Sequence, residues 1–304
     1  MKRLADVASA LACAAVLSGC GGYEFEGKKA LSREERRRAE AALAAERLIV
    51  ETGNYSAEDG MVTLGGPDGR AVPESAAGNL EIPAKVKGLP VVQIGDMAFA
   101  GCAGLESVTM PGSVARIGRM AFMGCAGIRS VTIPAGTRTV GPGAFAECAG
   151  LRSFRVDPAN WNFRAEDTFL FSGDGTVLVA APGAVKSAII PAGTRTVGDS
   201  SFRGCRALAR VAMPPGVERI EGCAFMDCTA LRSVELPRGL VEIGRSAFAG
   251  CGALSVLTVP AGVTEIGEGA FDGCGALAEV HVPKSFPAGL KSRFPRGCAF
   301  VEKD

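Results

Sequence analysis

The sequence predicts an α/β-type repeat solenoid, mainly β and irregular, with a parallel sheet on its concave face and one β-hairpin insertion. Three observations predict it. Phe99, Phe122 and Phe145, then Phe202, Phe225, Phe248 and Phe271, recur every 23 residues, each with a cysteine three residues on. Behind the pair the unit runs Leu-x-x-Val-x-apolar-Pro, as in Leu105, Val108, Met110, Pro111 and again in Leu231, Val234, Leu236, Pro237. Third, 47% of residues are hydrophobic but only 6% are aromatic, and 41 are glycine, which suits a thin repeated core better than one deep globular core.

From the N-terminus, residues 1–19 read as a bacterial lipoprotein signal. Lys2 and Arg3 precede an uncharged stretch from Val7 to Leu17 that is too short to span a bilayer. It ends in Leu17-Ser18-Gly19-Cys20, which resembles a lipobox. That resemblance implies cleavage before Cys20 and acylation of its thiol, giving a protein exported and lipid-anchored to the bacterial envelope. Gly21 follows, not the Asp linked in enteric bacteria with inner-membrane retention, which in a Gram-negative cell points to the outer membrane; the expected location is the outer membrane or cell surface. Residues 20–50 then form a tether and a helix. Ser32 and Glu35 have capping-box spacing, and the good helix formers behind them predict a helix over 33–48 with a thin stripe of Ala39, Leu43 and Leu48. It serves as a spacer or as an N-terminal cap. Residues 51–79 are assigned to the cap.

Residues 80–284 carry the repeats. In Leu-x-x-Val-x-Ile the apolar groups point inward from a turn and a short strand, because alternate strand residues face opposite sides. Proline then stops the ladder, having no N–H to donate. The next apolar pair, such as Val114 and Ile117, brings the chain back on the other side. Gly118 and its equivalents Gly95, Gly141, Gly198, Gly244 and Gly267 are expected at the corner in a positive-φ conformation. Nine strands follow, near 80–82, 106–110, 129–133, 152–156, 187–190, 209–213, 232–236, 255–259 and 278–282, in a sheet extending roughly 38 Å at strand spacing. Between Phe145 and Phe202 the period is interrupted, and 157–185 reads as a hairpin insertion: Phe169-Leu170-Phe171, a turn at 172–175, then Thr176 to Val179. Residues 285–304, with Phe294 again 23 residues after Phe271, form a degenerate last unit acting as a C-terminal cap.

This unit, A-F-x-x-C-x-x-L-x-x-V-x-(I/L/V/M)-P-x-x-V-x-x-I-G, resembles the BspA-type leucine-rich repeat, a 23-residue class of bacterial surface proteins. The resemblance implies a leucine-rich-repeat arc and a role in adhesion to host or microbial macromolecules.

Seven of the nine cysteines after Cys20 share one repeat position, which predicts a buried ladder of free thiols. Cys223 and Cys298 lie out of phase and are expected to be the more exposed. Two outward rows line the sheet. One is Ser107, Ser130, Ser153, Ser187, Arg210, Ser233, Val256 and Glu279; the other is Thr109, Thr132, Arg155, Ile189, Ala212, Glu235, Thr258 and His281. The candidate binding residues are drawn from these rows. Trp161, the only tryptophan, either packs on the solenoid or supplies a binding anchor from the insertion.

One histidine on an open sheet, with no nucleotide-binding or metal-hydrolase motif, excludes the familiar catalytic constellations, and no cofactor or metal is expected. A formal charge of +1 gives no general pull toward nucleic acid. The expected partners are a protein or other host or microbial macromolecule, and the membrane through the N-terminal lipid. A structural role within the envelope, and a thiol-dependent activity at Cys223, are the alternatives.

Overall fold

The computed structural model describes residues 32–52, 54–65 and 69–303. The signal segment and Cys20 lie outside the described residues. Helix α1, Arg33–Thr52, opens with the expected capping box: the Glu35 N–H donates to Ser32 Oγ (3.2 Å) and the Ser32 N–H to Glu35 Oε2 (2.8 Å). Its buried face is Ala39, Ala45 and Ile49, whereas Leu43 of the expected stripe stays 45% exposed. The helix lies against the strands Ala77–Glu81 and Lys85–Val86, so packing on the first rung selects the buried face. The Lys87 N–H, donating to Glu46, ties the two together.

Behind the helix the chain winds as stacked coils, each with a longer strand on one face and a two-residue strand on the other. All nine expected strands occupy the long-strand face, and a tenth, Ala299–Lys303, pairs in parallel with Glu279–Pro283. The tail therefore continues the stack. This face is not one unbroken ladder. It is bonded in four groups: Ala77–Glu81 with Gly104–Thr109; Ser130–Ile133 with Ser153–Val156; Ser187–Ile189, Arg210–Ala212 and Ser233–Glu235; and Val256–Thr258, Glu279–Pro283 and Ala299–Lys303. A rung of three or four residues holds few ladder bonds, and a small offset removes them. The short-strand face is itself a parallel sheet. Thr196–Val197, Arg219–Ile220, Glu242–Ile243 and Glu265–Ile266 pair in sequence there, as Leu89–Ile94, Arg116–Ile117 and Thr139–Val140 do nearer the N-terminus.

Between the faces the phenylalanines form a column. Rings of Phe99, Phe122 and Phe145 stack at 5.1 and 5.5 Å, and those of Phe202, Phe225, Phe248, Phe271 and Phe294 at 4.9, 5.1, 5.5 and 4.6 Å. Each ring covers the next, so one coil cannot bury its own and two neighbours can.

The corner glycines differ from expectation. None of Gly95, Gly118, Gly141, Gly198, Gly244 and Gly267 has a positive φ. Close approach explains them instead: a Cβ on Gly118 would stand 2.6 Å from the Asp96 nitrogen, and one on Gly267 2.3 Å from the Arg245 nitrogen. The left-handed residue lies two positions on, at Met97, Met120, Gly143, Ser200, Cys223, Ser246 and Gly269. Cys223 is thus in phase with a repeat position that sequence reading did not separate.

The insertion is more than a hairpin. Phe163–Glu166, Phe169–Ser172 and Val177–Ala180 form an antiparallel meander, and the last strand pairs in parallel with Thr196–Val197 as a rung of the short-strand sheet. Asn160, 7% exposed, fastens its start: Nδ2 donates to the carbonyls of Pro134 (2.6 Å) and Thr137 (3.0 Å), while Oδ1 accepts from the N–H groups of Asn162 (2.8 Å) and Phe163 (3.1 Å). The meander divides the core into two bodies: Leu170 belongs to the N-terminal one, Phe169 and Phe171 to the C-terminal one. At the corner the stack continues past it, for the Glu147 N–H donates to the Arg203 carbonyl at 3.0 Å and the side chains pair at 3.2 Å.

Candidate partner-binding face

Every candidate residue of the two rows points away from the core on the long-strand face. Inward Val131, Phe154, Val211, Val234, Leu257 and Val280 are buried, and alternation sends their neighbours outward. Register aligns the rows. Ser153 sits beside Ser130 and Arg155 beside Thr132; Ser187, Arg210 and Ser233 are consecutive, as are Ile189, Ala212 and Glu235; Val256 precedes Glu279, and Thr258 precedes His281.

Sequence reading missed both ends of these rows. Asn79 and Glu81 precede Ser107 and Thr109, with Ser107 Oγ donating to Asn79 Oδ1 (2.6 Å) and Thr109 Oγ1 to Glu81 Oε1 (3.0 Å). The spacing there is 28 residues, not 23, because the Lys85–Val86 and Leu89–Ile94 hairpin intervenes. At the other end Ala299 and Val301 follow Glu279 and His281. Helix α1 leans over the first two rungs, and Arg37, Arg38, Asn79, Glu81, Ser107 and Thr109 line an open groove of about 230 Å³.

His281 sits in a polar cluster on the last rungs. Nε2 faces Glu279 Oε1, and Nδ1 lies 2.7 Å from Lys303 Nζ and 3.4 Å from Thr258 Oγ1. Lysine can only donate, so Nδ1 accepts and the ring proton sits on Nε2, toward the carboxylate. The cluster joins three rungs of the sheet across its outer surface. Arg155 and Arg210, which flank the rung Ser187–Ile189, make no ion pair among the described residues, and Ile189 between them is 77% exposed. Trp161 is 85% exposed and does not pack on the solenoid.

The repeated cysteines are buried, with free thiols. Their position has a hydrogen-bonding reason. The thiols of Cys125, Cys148, Cys228, Cys251 and Cys274 donate to the carbonyl of the phenylalanine in the preceding coil, at 3.1–3.2 Å. Where no such phenylalanine precedes, Pro73 accepts from Cys102 and Pro182 from Cys205. Burial pushes Cys148 and Cys205 up to about 12 and Cys274 up to about 11. These thiols are structural. Cys223 and Cys298 are half-buried; burial raises Cys223 first, then the neighbouring Asp199 carboxylate.

With this geometry in view, comparison with known proteins decides the family. The model of the BspA type leucine-rich repeat region matches residues 77–172 and 182–294 in six copies. The chain belongs to the BspA-type leucine-rich-repeat family. The gap between the matched stretches falls inside the meander. Among solved structures, a leucine-rich cell surface protein of Faecalibacterium prausnitzii is 32% identical with a TM-score of 0.63, covering 75% of this chain and 60% of that one. The pneumococcal vaccine antigen PcpA is 23% identical with a TM-score of 0.62, covering 76% of this chain and 68% of that one. A leucine-rich-repeat protein of Eubacterium ventriosum is 20% identical with a TM-score of 0.57, covering 75% of each. No curated protein is significantly similar in sequence. This chain therefore spans about 60% of the length of the first of these relatives.

Proposed function

We propose that this chain is a non-enzymatic surface module of the bacterial envelope, held by lipid on Cys20, whose long-strand face binds a macromolecular partner. One observation carries the reading: ten rungs share one face, and within each bonded group register aligns two outward rows made largely of hydroxyl and charged side chains. A solenoid spreads its contacts over such a row instead of enclosing a small molecule. The surface setting is supported by the family and by the F. prausnitzii relative, itself a cell surface protein. Lys2, Arg3, the apolar stretch and the Cys20 box support the anchor. Trp161 offers a second contact, since a bare indole is the side chain that most often anchors an interface.

The test is a pull-down with the chain from Gly21 onward against matrix proteins and envelope extracts at two salt concentrations. Capture of a specific partner, lost when Arg155, Arg210 and Glu235 are replaced together, is the expected result. Cys20→Ser is expected to abolish fatty-acid labelling and release the protein from membranes. The structural alternative has its own support in the strand Ala299–Lys303, the outer edge of its sheet among the described residues, which could pair with another chain. Capture of an envelope protein or of the chain itself would favour it.

A further inference from the structure

The long-strand face carries a charge pattern that the two rows alone do not reveal. In the middle of the stack, the residue after the inward Ile128, Leu151, Val185 and Leu231, just ahead of the rows, is basic: Arg129, Arg152, Lys186 and Arg232, all exposed. Backbone bonding orders their rungs along the stack, with Arg129 directly beside Arg152, the Lys186 rung set one residue off, and Ala209 between Lys186 and Arg232. The Arg152 N–H donates to the Arg129 carbonyl (2.9 Å), the Ala184 N–H to Leu151 (2.9 Å), the Ala209 N–H to Lys186 (2.9 Å) and the Arg232 N–H to Ala209 (3.2 Å). Arg155 and Arg210 widen the band. None of the six makes an ion pair among the described residues, although Asp96, Glu147 and Glu218 elsewhere each pair with an arginine. Acids bound the band along the stack: Glu81 and Glu106 before it, Glu235 on its last rung and Glu279 after it.

Like charges on successive rungs repel, and no ion pair among the described residues offsets them. We infer that this band is a docking surface for an extended anionic polysaccharide, one bearing a carboxylate or sulfate on its successive sugars. The assignment rests on the proposed binding role of this face and names its partner. Three features choose a glycan over other polyanions. Each rung from Arg129 to Arg232 carries a cation, Arg210 supplying it where that position holds Ala209, so charge recurs at the strand spacing of about 4.8 Å, close to the length of one pyranose residue, whereas an extended peptide returns a side chain to the same side every second residue, about 6.6 Å apart. Ser130, Ser153 and Ser187, aligned beside the cations, offer hydroxyls to sugar hydroxyls. The band holds no aromatic ring on which bases could stack, as single-stranded nucleic acid requires.

The experiment measures binding of polygalacturonate and heparin to the detergent-solubilised full chain over a range of salt, with dextran, polyglutamate, a single-stranded oligonucleotide and anionic vesicles alongside. Both acidic glycans are expected to bind at least tenfold more tightly than the other four. Replacing Arg129, Arg152 and Lys186 together by serine should weaken glycan binding at least 30-fold and flatten its salt dependence by roughly one unit of slope per cation removed. A control losing the same charge elsewhere, Arg138, Arg219 and Arg238 to serine, should change it less than threefold. Equal losses in both variants, or tighter binding of polyglutamate, oligonucleotide or vesicles, would overturn the inference. If neither glycan binds but a matrix protein does, in a manner sensitive to Arg155, Arg210 and Glu235, the glycan assignment falls while the binding face stands. If nothing binds, both fall.

Discussion

At the scale of single residues, the buried cysteine of each coil donates its S–H to a backbone carbonyl one coil back, that of Phe122 for Cys148 and that of Pro182 for Cys205. Alanine there would leave that carbonyl short of a donor, and a thiolate could not donate at all. Folded Cys148 and Cys205 hold their protons to about pH 12, against an ordinary value of 9.0. Their stabilising effect is therefore intact below pH 9. Between pH 9 and 12 the unfolded chain releases thiol protons that the folded chain keeps, so stability falls as pH rises. We expect Tm to drop from pH 9 to 11, and Cys148→Ala with Cys205→Ala to flatten that drop; an unchanged slope would remove the thiols as its cause. Thr194 gives a second residue-scale prediction. It is buried, and its Oγ1 has no hydrogen-bond partner, whereas Thr137 at the same repeat position donates to the Val114 carbonyl at 2.9 Å. The coil before Thr194 is the meander, which offers no equivalent carbonyl. Thr194→Val, matching Val217 and Val263, should raise unfolding stability by about 1 kcal/mol in urea titration, and Thr137→Val should lower it.

At the scale of elements, the repeat spacing disclosed the long-strand face and the capping box disclosed the start of the helix, because both are local patterns with one physical meaning. The corner glycine was legible as a conserved spacing within the chain but not as a cause. Glycine serves positive φ and close approach alike, and only the stacked backbone distinguishes them. The same ambiguity hid the left-handed position, where Met97, Met120, Ser200, Cys223 and Ser246 share one conformation but no chemistry. The candidate rows were legible by alternation, yet their ends were not: the hairpin shifted the first rung by five residues, and the last carried no leucine pattern. If close approach is the cause, Gly118→Ala should push two coils apart and cost about 2 kcal/mol or more, while a D-alanine at the same place brings no relief. Relief by D-alanine would restore the positive-φ explanation.

At the scale of the whole molecule, the meander decides how the solenoid holds together. A stack of identical coils passes stability from neighbour to neighbour, so its cooperativity is only as strong as its weakest interface. Here the phenylalanine column breaks between Phe145 and Phe202. Phe154 packs edge-on to Phe145 at 5.3 Å on one side, and Phe169 lies 6.0 Å from Phe202 on the other. The strand Phe169–Ser172 faces both bodies of the core, Leu170 one way and Phe169 the other. Truncating either side chain removes contacts from one body alone, at a cost of about 2–5 kcal/mol. Hydrogen exchange on Leu170→Ala should therefore lose protection first in coils 104–156, and on Phe169→Ala first in coils 196–282. The Glu147–Arg203 corner opposes this separation, as does the Ala184 N–H bonded to the Leu151 carbonyl, since both span the break directly. Adding Arg203→Ala to either variant should widen the difference between the two blocks. Equal loss of protection in both blocks from each single variant would mean that the corner, not the meander, sets the cooperative unit.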